Sequence, residues 1–190
     1  DRLHAIITAG GHRPSIIPAE STIELYVRSL GVDTLMDISQ RVNEIVEGAA
    51  LMAGCGFEID WDPHPMSLPV RNNQAMAARW SHTQSPRGRV ALPEGTVPDT
   101  LAASTDFGNV SQQIPGIHPM VKVSPEDVAL HTEAFAKWAN TPAAKQAAVD
   151  SAAGLAQVTL DLLADATLLD AAKTEFERAG GQVAVADLLK

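Results

Sequence analysis

The sequence predicts a mixed α/β chain in two parts, an α+β unit followed by an α/β unit. Three patterns carry that expectation. Residues Thr22-Ile23-Glu24-Leu25-Tyr26-Val27-Arg28 alternate apolar and polar, as in a strand with one wet face. Leu35, Ile38, Val42, Ile45, Val46, Ala49, Ala50 and Ala53 recur at helical spacing. So do Ala148, Val149, Ala152, Leu155, Ala156, Leu160 and Leu163, where small alanines would let a helix pack closely on a sheet.

Taken in order, Leu3 to Thr8 reads as a first strand, broken by Gly10-Gly11 and followed by a connection that Pro14 and Pro18 keep extended. A hairpin to the alternating strand is the simplest pairing, with Ile23, Leu25 and Val27 facing inward. Asp33-Thr34 offers an N-cap for the first helix, and Gly54 and Gly56 end it. Phe57-Glu58-Ile59-Asp60-Trp61 alternates again as a third strand. Strand, strand, helix, strand is the later part of a split-βαβ, ferredoxin-like sandwich, with its first strand and helix expected upstream of residue 1.

Asp62-Pro63-His64-Pro65 and Pro69 mark a boundary, so the expected domains are 1–62 and 63–190. A helix is expected over Asn73 to His82, then a loop-rich stretch over Ser85 to Ala103. Ile117 to Val123 reads as a short buried strand between Pro115-Gly116 and Ser124-Pro125. Thr141-Pro142 supplies an N-cap and a first-turn proline for the next helix, which reaches about Asp165. A last long helix, Leu168 to Ala179, stops at Gly180-Gly181, and Gln182 to Lys190 is a short helix or a tail.

The totals exclude some function classes. A net charge of -9 with no Lys/Arg cluster argues against a nucleic-acid surface. No unbroken run of apolar residues is long enough to read as a membrane span. The one cysteine, Cys55, rules out an internal disulfide, fits a reducing cytoplasmic compartment, and reads as core at the end of a helix. Asp1-Arg2 leads directly into a strand with neither initiator Met nor signal peptide, so the expectation is a portion of a longer or processed chain.

Chemistry-bearing residues cluster in Ser104-Thr105-Asp106-Phe107-Gly108-Asn109-Val110-Ser111, in Pro115-Gly116-Ile117-His118-Pro119 and in Leu130-His131-Thr132-Glu133. On residue types alone an ordinary connection with two incidental histidines is favoured over a site presented beside a core strand. HExxH, CxxC, GxSxG, GxGxxG and Walker motifs do not occur. Ser104, Asp106 and His131 could compose a Ser-His-Asp set on paper, without a nucleophile elbow to support it.

These stretches resemble the dizinc amidohydrolases of the aminoacylase and carboxypeptidase-G type, most of all the branch with p-aminobenzoyl-glutamate hydrolase and the dipeptidase-like aminoacylase relatives. Arg2-Leu3-His4-Ala5-Ile6-Ile7-Thr8, Gly10-Gly11, Ile16-Ile17-Pro18, Tyr26-Val27-Arg28 and Gly54-Cys55 are similar to that branch's lid, or dimerisation, domain. The run Ser104 to Ser111, then Pro115 to Pro119, then His131-Thr132-Glu133, follows the order of its catalytic domain. The resemblance implies a partial ferredoxin-like lid followed by the C-terminal part of a zinc-peptidase-like α/β sandwich. It also implies two Zn²⁺ ions that activate water against the amide bond of an N-acyl amino acid or dipeptide.

Residue by residue, the resemblance makes His131 a metal ligand, although a structural or surface histidine suits it too. It makes Arg28 the clamp on a substrate carboxylate, as a bidentate guanidinium would be, although an exposed strand arginine in a surface pair suits it nearly as well. Asp106 would orient neighbouring backbone or a ligand side chain, although an Asx-turn acceptor suits it too. His118 would lie near the cleft as a substrate contact, although a capping or packing histidine suits it as well. Ser15 stands where the family usually has Asn before Ile-Ile-Pro, a departure that leaves the substrate contacts the resemblance implies there unsupported. The remaining zinc ligands, the general-base Glu and the lid histidine that steadies the oxyanion fall before residue 1, so no catalytic residue is expected in this chain and the chain alone is expected to be inactive. The expected assembly is a homodimer through the lid. Two alternatives remain: a non-catalytic dimerisation or interaction domain, and an unrelated α/β binding domain.

Overall fold

The computed structural model describes residues 1–61, 66–92, 95–96 and 105–188. The expected boundary at 62–65 and Ser104 lie outside them. The chain is mixed α/β and divides into two compact units, one built mainly on Asp1–Pro69, the other on Val70–Val97 and Asn109–Ala184.

The first unit opens with β1 (Arg2–Ala9) and β2 (Thr22–Arg28), an antiparallel pair in the register Arg2 to Arg28, His4 to Tyr26 and Ile7 to Ile23. The expected hairpin forms. Its core-facing set is Leu3, Ala5 and Ile7 against Val27, Leu25 and Ile23, because side chains alternate between faces. That face is thinly covered: Leu25 and Val27 are half-buried, and Ile23 is exposed.

Helix α1 (Val32–Ala53) packs on β2, and Leu35 and Val42 are its buried residues. It starts at Gly31 with no side-chain cap, ahead of the expected Asp33-Thr34 cap, and Asp33 falls in the first turn, where the helix dipole favours an anion. Gly54 ends it in the left-handed conformation at φ 65°, its N–H reaching back to Ala50 and Leu51 carbonyls. Cys55, expected in the core, is exposed just beyond this cap. Phe57 to Trp61 is not a strand, since the described sheet has only β1 and β2 and offers it no ladder partner. The segment is tied to α1 instead, where Trp61 Nε1 donates to Asn43 Oδ1 at 2.7 Å.

The second unit is helical. α2 (Gln74–Gln84) is followed by a 3-10 turn, Ser85–Arg87. Two short helices, α3 (Phe107–Ser111) and α4 (Glu133–Trp138), are absent from the sequence reading. α5 (Pro142–Ala164) and α6 (Ala166–Arg178) pack against α2. Thr141 caps α5, accepting from Ala144 N, with Pro142 in the first turn as the sequence predicts. Asp165 both ends α5 and caps α6, accepting from Thr167 and Leu168 N–H groups. A terminal turn, α7 (Val185–Leu188), belongs to the first unit, as do Phe107 and Gly108 at the start of α3.

Two expectations in this unit are corrected. Ile117 to Val123 is extended but joins no sheet among the described residues: Ile117, Pro119, Val121 and Val123 are half-buried, while His118, Met120 and Lys122 are exposed. The alternation of a strand is present without a neighbouring strand to bond. On α5 the inward face is Ala147, Asp150, Gly154 and Val158, whereas Val149, Leu155, Leu160 and Leu163 of the expected core stripe are exposed. By length and composition alone α5 could cross a membrane, contrary to the expectation drawn from unbroken apolar runs. Its inward face instead carries Asp150 and Asp161, paired to Arg89 and Arg79 of the α2 region, the packing of a layered protein.

Candidate functional site

The second unit is organised by Arg71-Asn72-Asn73, each residue fastening a different element. The Arg71 N–H donates to Ser111 Oγ at 2.9 Å, and Ser111 is fully buried. The Arg71 guanidinium donates to Ala179 O at 2.8 Å and to Gly181 O, and it stacks 4.4 Å from the Phe176 ring centre. Burial lowers its pKa, with the Glu177 charge opposing. These carbonyls end α6, so Arg71 serves as a C-terminal cap supplied from outside the helix.

Asn73 caps α2, its Oδ1 accepting from Met76 N at 3.1 Å while Nδ2 donates to Ala172 O at 2.9 Å. The first turn of α2 is also held by Glu175 of α6, whose carboxylate accepts from Gln74 N at 2.6 Å and Ala75 N at 3.1 Å. Asn73 N donates to Gly116 O at 2.8 Å, and Asn72 Oδ1 accepts from His118 N at 2.7 Å. Arg71, Asn72, Asn73, Pro115, Glu175, Phe176 and Ala179 line a cleft of about 40 Å³. That is room for a water molecule, not a dipeptide.

The motif Ser104 to Ser111 has a clear structural role over its described part. A Cβ at Gly108 would lie 2.8 Å from the Leu68 carbonyl carbon and overlap its oxygen, so only glycine permits this approach. Asp106 is exposed at the mouth of α3, its Oδ1 accepting from Thr105 Oγ1 at 3.1 Å. Arg28 is half-buried at the end of β2, opposite Arg2, with its guanidinium 5.6 Å from the Tyr26 ring centre.

His118 and His131 both lie in the second unit and are exposed. His131 has φ 61°, a left-handed backbone held by no other described non-glycine residue. It is followed at once by Thr132, which caps α4 by accepting from Phe135 N at 3.1 Å and donates to Ala129 O at 2.8 Å. Among the described residues no group of three or more His, Cys, Asp or Glu side chains could hold a metal ion. His131 stands without the converging carboxylates and imidazoles such a centre requires, and the residues present do not by themselves build one. Sequence reasoning passes over Arg71, Asn72 and Glu175. Asn73, expected as the first residue of the helix, is its cap instead, and partners more than forty residues away leave no local signal for Asn72 and Glu175.

No protein-family model matches the chain. It is 31% identical over 176 residues to the Xaa-Arg dipeptidase of Mus musculus and 30% identical over 176 residues to that of Homo sapiens. Each alignment takes in 93% of this chain and 40% of the relative. It is 25% identical over 228 aligned positions to one of the subunits of the p-aminobenzoyl-glutamate hydrolase of Escherichia coli (strain K12), taking in 93% of this chain and 47% of the relative. The chain thus spans 40% of the length of the dipeptidases it matches.

Proposed function

Since this chain is a relative of the aminoacylase-like amidohydrolases and dipeptidases, we propose that it is the C-terminal portion of a metal-dependent amidohydrolase. The reaction is hydrolysis of an amide bond beside a carboxylate-bearing group, as in a dipeptide or an N-acyl amino acid. The observation that carries this reading is the extent of the match, nearly end to end across this chain with two dipeptidases. In this reading the chain by itself is inactive, because the metal ions, two Zn²⁺, need a ligand set that the described residues do not supply.

Within that reading four residues have roles. Arg28 presents a charged fork to the substrate carboxylate, its plane steadied by Tyr26. His131 contributes one imidazole to the metal centre, and its left-handed backbone is the kind of local strain that a functional position sustains. His118 contacts substrate from an exposed, extended loop. Asp106 orients its neighbours at the mouth of α3. The outward apolar face of α5 supports the view that further layers of a larger protein cover this helix.

A second reading is favoured by a separate observation. β1 leaves Leu3, Ile6 and Ile7 more than half exposed, with Ile16 and Ile17 exposed in the loop that follows. Such a strand suits pairing with a second copy, so the first unit serves as a dimerisation surface whether or not the whole protein is catalytic. Hydrolysis assays with dipeptides and N-acyl amino acids, on the full-length protein and on residues 1–190, separate the possibilities. Turnover by the full-length protein alone is the expected result. Inactivity of the metal-loaded full-length protein toward every substrate overturns the amidohydrolase reading, and turnover by residues 1–190 overturns the partial-site reading.

A further inference from the structure

We infer that Asn72 is a positioning residue, whose side chain fixes the loop that presents His118. The inference rests on the reading that His118 meets substrate. Three constraints converge on this histidine. Pro119 follows it and confines His118 to extended backbone. Two residues upstream, Gly116 O accepts from Asn73 N at 2.8 Å, and both Gly116 and Asn73 are buried. The His118 N–H then donates to Asn72 Oδ1 at 2.7 Å.

The last bond helps an extended segment outside the described sheet keep its place. In a sheet the His118 N–H would meet the carbonyl of a neighbouring strand. Here a side-chain amide oxygen supplies that acceptor, so Asn72 substitutes for one rung of an absent ladder. The capping work at this helix start is done by Asn73, not Asn72. Asn72 therefore spends its acceptor on the loop, and the exposed imidazole extends from a backbone fixed at two points.

The bond calls for an acceptor, not an amide, so aspartate can replace asparagine and alanine cannot. In the full-length protein, hydrogen exchange of the segment containing the His118 amide is measured for Asn72→Ala and Asn72→Asp, together with kcat and KM on a dipeptide substrate. Asn72→Ala is expected to speed that exchange and to lower kcat/KM by about tenfold, mainly through KM, with the melting temperature nearly unchanged. Asn72→Asp is expected to restore both. In a His118→Ala background the Asn72→Ala effect on kcat/KM should vanish, because no imidazole is left to place. Unchanged exchange in Asn72→Ala overturns the inference, and so does a kcat/KM loss that persists in full without His118. If the unaltered protein hydrolyses nothing, the amidohydrolase reading fails separately, and the exchange comparison alone decides whether Asn72 fixes the loop.

Discussion

Gly154 is the point at which α5 meets the end of α2, and the contact leaves no room for a side chain. A Cβ there would lie 2.7 Å from both Thr83 Oγ1 and the Trp80 ring and would overlap the Gln84 amide. Thr83, Trp80 and Gln84 are all buried, so none can swing aside into solvent. Gly154→Ala gains helix propensity, but overpacking outweighs it, and a net loss of about 1–3 kcal/mol is expected by chemical denaturation. Glu175 is a second residue whose effect is larger than its position suggests, because its carboxylate satisfies two N–H groups at the start of another helix. Glu175→Ala should cost about 1 kcal/mol, and Glu175→Gln less, since the amide keeps one acceptor oxygen. Equal losses for the two substitutions would show that charge, not hydrogen bonding, holds the start of α2.

Among the elements, α5 turns two carboxylates inward beside Ala147 and Val158, and leaves Val149, Leu155, Leu160 and Leu163 outward. Asp150 bonds Arg89 at 2.8 Å and Gln146 at 2.9 Å, and Asp161 bonds Arg79 and Gln157. Hydrogen bonds from Gln146 and then Arg89 hold the Asp150 carboxyl below its usual 3.8, and Arg79 and then Gln157 do the same for Asp161. A depressed folded-state pKa stabilises the fold at pH values above the unfolded value. That contribution fades as pH falls from about 4 through the lower folded values. Acid unfolding monitored by circular dichroism should therefore steepen below about pH 4, and Asp150→Asn with Asp161→Asn should flatten that limb. The α5 boundaries were legible because Thr141 and Pro142 act locally, and Gly54 is legible at the end of α1 for the same reason. Which face turns inward was not, because a periodic apolar stripe identifies a helix without identifying its partner. Ile117 to Val123 shows the same limit, since alternation sets side-chain direction but only a neighbouring strand makes a strand. His118 and His131 could be nominated from residue order, but Asn72 and Glu175 depend on contacts across the fold.

At the scale of the whole molecule, Arg28 belongs to one compact unit, and His118 and His131 belong to the other. In the amidohydrolase reading these residues act on different parts of one reaction, and kinetics can separate them. Arg28→Lys keeps the positive charge but loses the planar fork, so a substrate carboxylate held by two parallel bonds should bind more weakly. KM is expected to rise about ten- to hundredfold with kcat little changed, because the lost contact is made equally before and during bond cleavage. His131→Ala should lower bound metal per chain and reduce kcat, while stability at low metal concentration stays near that of the unaltered protein, because this exposed side chain supports no core contact. Metal content by elemental analysis, alongside kcat and KM on one dipeptide, measures all three quantities. Full metal occupancy in His131→Ala would remove this histidine from the centre, and a fall in kcat at unchanged KM in Arg28→Lys would move Arg28 from ground-state binding to the transition state.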